Sequence, residues 1–193
     1  PAYQNFTTKM SYVFSGDMNG DGFSGNDLIY IPRDTSEMNF STFTVGTRTF
    51  TAAEQAAAFE TYIQQDDYLR KHRGQYAERN GQFMPIFNRM DLSILQDIFR
   101  NIGGKRNAGQ IRFDITNFGN LLNHNWGVSE RLVLPTTAAN GAQILTNPAA
   151  DAQGRASYRL AVVNNELVRD TFQTATSLSD VYQFLLSFRY SFN

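Results

Sequence analysis

The residues of this chain best suited to chemistry lie in one short stretch, Asp17 to Asp27 (DMNGDGFSGND). Asp17, Asn19 and Asp21 alternate and Gly22 follows. Short oxygen-bearing side chains at this spacing, with a glycine for the sharp turn, form the first half of a calcium loop. The full EF-hand pattern wants a carboxylate at the last loop position, where this chain has Leu28; Asp27 comes one residue early. A calcium loop of another kind would draw on Asp17, Asn19, Asp21, the Phe23 carbonyl and Asp27. The same residues also spell an Asx- and glycine-rich turn whose side chains satisfy local backbone groups. Spacing leaves both open.

Other chemistries fail on context. Gly20 to Gly25 matches G-x-G-x-x-G, but a dinucleotide site needs a helix to open there, and Asn26 to Pro32 (NDLIYIP) reads as extended. Gly22-Phe23-Ser24-Gly25 approaches a nucleophile elbow, yet Asn26 occupies the place of its second glycine. With no cysteine, disulfides, zinc-thiolate sites and thiol catalysis are excluded. The two histidines lie apart: His72 ends a basic helical turn as a cap or surface residue, and His124 sits among asparagines with no carboxylate at ligand spacing. Trp126, the single tryptophan, would pack within its loop or line a binding surface. No catalytic constellation emerges, and the chain is not expected to be an enzyme. A net charge of −1 gives no electrostatic case for nucleic acid.

The elements that would carry these residues are mostly strands. Aromatics make up 13% of the chain, with sixteen Phe and nine Tyr, a bias that suits strands and barrel girdles more than a helical bundle. No run is apolar enough for a transmembrane helix. The opening PAYQNFTTK reads as the middle of something, so the chain is expected to be part of a longer one. At the far end, Tyr182, Phe184, Leu186, Phe188, Tyr190 and Phe192 alternate with Gln183, Ser187, Arg189 and Ser191, Leu185 being the one apolar exception. Such a strand has two different environments. Apolar on one side and polar on the other over about ten residues, it has the form of a barrel strand facing lipid and lumen.

Three further stretches alternate. Phe6, Met10, Tyr12 and Phe14 oppose Thr7, Lys9 and Ser11, with Thr8 and Val13 blurring the pattern. Met90, Leu92, Ile94 and Ile98 oppose Asp91, Ser93 and Asp97. Ile111, Phe113 and Ile115 oppose Arg112, Asp114 and Thr116. The last two are joined by Asn101 to Arg106, where Gly103-Gly104 supplies positive φ for a tight reversal. Four transmembrane strands are thus predicted at about 5–14, 86–99, 109–118 and 181–193, with long loops at 15–85 and 119–180. The first loop carries a helix over about 51–73, opened by a Thr51/Glu54 capping box, with Ala52, Ala56, Phe59, Tyr62 and Ile63 on one face. The second holds a short hairpin turning at Asn164-Asn165. One short turn and two long connections match the short periplasmic turns and long extracellular loops of outer-membrane barrels.

The segments SGDMNGDG…NDLIYIP, HRGQYAERNG, NRMDLSILQDI, DITNFGNLLNHNWG and FLLSFRYSFN together resemble the C-terminal barrel region of TonB-dependent receptors, of the Oar-like group that carries a carboxypeptidase-regulatory-like domain. The resemblance spans nearly the whole chain. It implies a mainly β fold contributing about four strands to a 22-stranded barrel in the outer membrane of a Gram-negative bacterium. It further implies partners: the rest of the barrel and its plug, TonB through an upstream segment, outer-membrane lipid, and the barrel-assembly machinery through the terminal strand. The role implied is ligand uptake, with no required cofactor and no ligand contacts that map onto single positions. The competing expectation is a soluble secreted calcium-binding β domain for adhesion or carbohydrate binding.

Overall fold

Alternating side chains predict strands, and the computed structural model, which describes residues 2–6, 9–104, 106–134, 141–175 and 177–192, is mainly β. In chain order its strands begin with β1 (Ala2–Phe6), β2 (Lys9–Ser15), β3 (Tyr30–Ile31), β4 (Phe43–Val45) and β5 (Arg48–Phe50). After α1 (Ala52–Gln65) and α2 (Asp67–Lys71) come β6 (Gln75–Tyr76), β7 (Gln82–Phe83), β8 (Phe87–Arg100) and β9 (Asn107–Thr116). Helix α3 (Phe118–Leu122) precedes β10 (Glu130–Leu132), β11 (Gly141–Ala150), β12 (Ala156–Leu160), β13 (Val162–Val163), β14 (Glu166–Leu167), β15 (Phe172–Thr174) and β16 (Gln183–Phe192). The chain divides into two compact units, residues 1–7, 85–130 and 174–193 forming one, and residues 8–84 and 131–173 the other.

In the first unit β1, β8, β9 and β16 form an open antiparallel sheet in that order. The predicted strands 86–99, 109–118 and 181–193 correspond to β8, β9 and β16 within two residues at each end; Asn193 lies outside the described residues. The β8–β9 reversal holds Asn101, Gly103 and Gly104 at positive φ (58°, 68° and 71°). Asn107 closes it, its side chain accepting from the Ile102 N–H at 2.7 Å. Register shifts between Asp97 and Phe99, so Ile98 forms a bulge, and the Phe99 ring lies where a side chain on Gly109 would be.

The first predicted strand, 5–14, is not one strand. Its β1 part pairs with β8, while β2 joins a different sheet, ordered β12-β11-β2-β7, in the second unit; Thr7 and Thr8 lie outside the described residues. Met10, Ser11, Tyr12, Val13 and Phe14 are all buried there. Reading β2 as two-faced set aside Val13. A strand covered on both faces is apolar on both, and this one meets protein core where lipid was expected.

The connections predicted as loops, 15–85 and 119–180, largely fold as that second unit. Phe50, Phe59, Tyr62 and Ile63 pack with Ile29, Ile31, Ile144, Leu145 and Leu160 around β2. Helix α1 opens with the expected capping box, the Thr51 hydroxyl accepting from the Glu54 N–H at 3.2 Å and Glu54 accepting from the Thr51 N–H at 2.8 Å. Its predicted continuation to residue 73 is broken at Asp66, whose backbone turns extended (φ −100°, ψ 118°) and caps α2. The hairpin between β13 and β14 turns on Asn164 and Asn165, both at positive φ, as two-residue reversals of this hand require.

Asp66 is also the buried polar centre of this unit. Its carboxylate accepts from the Tyr68 and Leu69 N–H groups at 2.9 Å each, from Thr171 Oγ1 at 3.0 Å, from Gln82 Nε2 at 3.1 Å and from the Tyr12 hydroxyl. Burial above all, then the nearby Tyr62 and Asp66, pushes the Tyr12 phenol up, so it remains a neutral donor. One carboxylate thus joins β2, β7, α2 and the segment before β15. Replacing it strands several buried donors, so Asp66→Ala is expected to cost about 3 kcal/mol or more, read as a lower urea midpoint for the second unit. Asp66→Asn, which keeps one acceptor oxygen, should fall between; an Asp66→Ala midpoint equal to the parent's would remove Asp66 from this role.

Candidate functional site

Opposed residues in an antiparallel ladder share a face, so the register of the first sheet assigns its two sides. On β16, Phe184, Leu186 and Phe188 stand opposite Ile115, Phe113 and Ile111 of β9, which stand opposite Leu92, Ile94 and Gln96 of β8. Three adjacent strands therefore present one apolar surface. Most of it is exposed, Leu186 at 71%, Phe188 at 63% and Ile94 at 54%, while Ile115 is buried. Aromatic rings cluster at its two ends. Tyr182, Phe184 and Phe113 form one chain of contacts, with centroids 5.5 and 5.7 Å apart. Phe99, Tyr190 and Phe192 form the other, at 6.1 and 5.7 Å.

The reverse side is polar and internally bonded. Arg112 Nε lies 2.8 Å from both Asp114 oxygens, and the Ser93 hydroxyl donates to Asp114 across the ladder. Gln110 donates to Asp97 at 2.9 Å, and Arg100 pairs with Asp97 at 3.3 Å. Leu185 and Leu95 are the apolar residues on this side, opposite Asp114 and Arg112. Exposed charge pairs of this kind add little stability, but they make one face of the sheet polar while the other is apolar.

The asparagine-rich stretch after β9 is more ordered than its composition suggests. Asn117 adopts the left-handed conformation (φ 53°), and its N–H donates to Asp91 Oδ1 at 2.7 Å. Its side chain donates to the Gly127 carbonyl at 2.8 Å, and any Cβ on Gly127 would collide with it. Buried Asn120 donates to the carbonyls of His124 and Trp126 and accepts from the Tyr182 N–H. Asp180 accepts from the N–H and hydroxyl of Ser129. These contacts fasten residues 117–129 to β8 and to the start of β16. The sequence signal was the density of Asn and Gly, residues that tolerate left-handed backbone and bond to nearby main chain. Trp126 emerges from this knot 56% exposed. His72 stacks on Tyr68, with centroids 4.2 Å apart, at the end of α2.

The predicted calcium residues come together in the second unit. The loop closes at its base through Gly25 N–H to the Gly16 carbonyl at 3.0 Å and Phe14 N–H to the Asp27 carbonyl at 2.9 Å. Within it, Asp17 accepts from the N–H groups of Gly20, Asp21 and Gly22, and Asn19 Oδ1 from that of Asp21. Asp21 accepts from the Phe23 N–H and the Asn26 amide, and Asp27 from the N–H groups of Met18 and Asn19. Phe23 is 70% exposed. The oxygens are hard donors of the kind calcium takes. Those of Asp17, Asn19 and Asp21 and one of Asp27 accept from backbone or amide N–H groups, which is the Asx-turn arrangement, and among the described residues no three His, Asp or Glu side chains group as a metal cage. An ion entering here would have to displace those bonds.

Comparison of the chain with protein-family models, curated proteins and solved structures finds no match.

The Phe23 N–H, followed by the Asn26 amide, holds the Asp21 carboxyl below the usual aspartate range. A depressed folded-state pKa stabilises fully above the unfolded value of about 3.9 and is lost as pH falls through the lower folded value. In an acid titration followed by NMR, the Phe23 amide resonance should therefore move with a midpoint below the ordinary aspartate value. Asp21→Asn should abolish the movement. A midpoint at or above that value would show that the turn does not depend on this bond.

Proposed function

We propose that the chain is the C-terminal part of a TonB-dependent outer-membrane receptor barrel, related to the Oar-like group, acting in ligand uptake and not as an enzyme. The observation that carries this is the exposed apolar face spanning β8, β9 and β16, backed by a hydrogen-bonded polar face. Lipid on one side and a wet lumen on the other are the environments these two faces match. The dimensions agree. From Tyr182 to Phe192 an extended strand runs about 33 Å, and a tilt of about 40° brings its height to about 25 Å, the span of an outer-membrane apolar band between aromatic girdles. The open edges of the sheet at β1 and β16 would pair with the remaining strands of a 22-stranded barrel, since unpaired edges are not tolerated in lipid.

On this reading the sheet lies in the outer membrane of a Gram-negative bacterium, and the β8–β9 reversal faces the periplasm. The plug and the TonB-contacting segment would be supplied from elsewhere in the same protein, and the barrel-assembly machinery would act on β16. The second unit has a core of its own. A secreted calcium-binding β domain for adhesion or carbohydrate binding is the other reading. It draws support from that independent core and from the Asp17–Asp27 loop, but leaves the apolar face in water.

Expressed without detergent, the chain should aggregate, and it should disperse and fold in detergent micelles. A monomeric, cooperatively folding chain in plain buffer would sink the barrel reading. In a complete barrel reconstituted in lipid vesicles, Phe188→Lys, near the middle of the apolar band, should weaken insertion by about 2–4 kcal/mol, whereas Ser187→Lys on the polar face should have little effect. Equal losses for the two would mean that the faces are not distinguished by lipid.

A further inference from the structure

The second unit contains a cavity of about 360 Å³ that neither the calcium motif nor the barrel strands involve. Its walls include Phe14, Tyr30, Tyr76 and Tyr158. Tyr30 and Tyr76 are opposed across the β3–β6 pair, with ring centroids 5.5 Å apart and planes at 62°. Phe14 and Tyr158 stack at 5.2 Å. Backbone bonds hold each wall in place. The Gly74 and Ala77 N–H groups donate to Ile31 and Ile29 on either side of the β3–β6 pair, and the Tyr158 N–H donates to Asn39 at 2.9 Å. The site is preformed, of the size and aromatic character of small-molecule pockets.

Charge decides what would fit. Two charged side chains line the cavity, and both are already paired. Glu37 accepts from the Tyr30 hydroxyl at 3.0 Å and the Arg33 N–H at 2.9 Å, with the Arg33 guanidinium 3.9 Å away. Arg155 is bonded to Asp151 at 2.9 Å, and Asn39 donates to the same carboxylate. An anionic ligand would have to compete with Asp151 for Arg155, and a zwitterionic peptide would have to compete with Asp151 and Arg33 for its two partners. Aromatic faces beside hydroxyl, amide and carboxylate oxygens suit a ligand that is neutral, carries apolar C–H faces and offers many hydroxyls. Tyr76 is 70% exposed, so its ring is available for stacking.

We infer that this cavity is a binding site for a neutral saccharide of one or two sugar rings, stacked on Tyr76 and hydrogen-bonded by the polar groups around Glu37 and Asn39. The cavity lies wholly within the second unit, so this assignment stands apart from the barrel proposal.

The test is saturation-transfer NMR on the full chain, in a detergent without a sugar headgroup such as an alkyl amine oxide. The probes are cellobiose, maltose, lactose and diacetylchitobiose, with glucuronate and dialanine as charged comparators. At least one neutral disaccharide should receive saturation at its ring protons, and the comparators should not. Tyr76→Ala should weaken that binding about tenfold, in the range of one lost aromatic contact, with the thermal midpoint unchanged because the residue is exposed. Absence of transfer to all four disaccharides would overturn the proposal. So would sugar binding that Tyr76→Ala leaves intact, or a dialanine signal lost in that variant, which would reassign the cavity to peptides. Detergent dependence of the chain enters none of these outcomes, so failure here and failure of the barrel reading remain separate results.

Discussion

One apolar surface three strands wide organises the first unit, and much else about that unit follows from keeping it in register. The surface exists because β8, β9 and β16 keep their alternation in phase, pairing Leu92 with Ile115 and Ile115 with Phe184, and so on down the ladder. A slip of one residue in any strand would turn its apolar side chains onto the charged face. Several features hold that phase. The tight reversal at Asn101 to Gly104 sets the β8–β9 offset, and the bulge at Ile98 returns Phe99 to the apolar side, where its ring covers the bare backbone of Gly109. At the other end the Asn117–Asn120 knot ties the chain leaving β9 to the tops of β8 and β16.

The second unit is organised in the opposite way, around a buried polar group inside an apolar core. Asp66 gathers a tyrosine, a threonine, a glutamine and two backbone amides from four parts of the chain. A buried carboxylate is tolerable only when its lone pairs are filled this way. Its position also explains the shape of the helical region. The capping of α2 and the anchoring of Tyr12 need Asp66 extended, and that need overrides the helical propensity running through Gln64, Gln65 and Asp67. The long connections that read as loops in the sequence have a core here, and with it a cavity.

Much of the first sheet was legible in the sequence because a sheet with one apolar and one polar face leaves a period of two that nothing nearby obscures. The β8–β9 turn was legible for a local reason, since Gly103 and Gly104 adopt positive φ at little cost. The Thr51–Glu54 cap and the Asn164-Asn165 reversal were local in the same sense. The first strand misled. Met10, Tyr12 and Phe14 alternate as a lipid-facing strand would, and only the apolar Val13 between them hinted at burial on both sides. The Asp17–Asp27 loop carried two chemistries in one spacing, and the backbone geometry brings its carboxylates onto N–H groups. None of the cavity was legible, since Phe14, Tyr30, Tyr76 and Tyr158 are far apart in the chain and are brought together by the β3–β6 pair and by a sheet in which β11 joins β2 to β12.

The sequence by itself determined the amphipathic strands, their turns and the helix caps, because each depends on residues within a few positions of one another. Tertiary structure decided where β2 belongs, where the long helix breaks, that the connections share a core, and which aromatic side chains line a common cavity. Those outcomes rest on contacts between residues tens of positions apart, such as Tyr12 with Asp66 and Phe14 with Tyr158. A local pattern records the solvent a side chain is meant to face. It does not record whether a strand's apolar face is covered by lipid or by another part of the same chain.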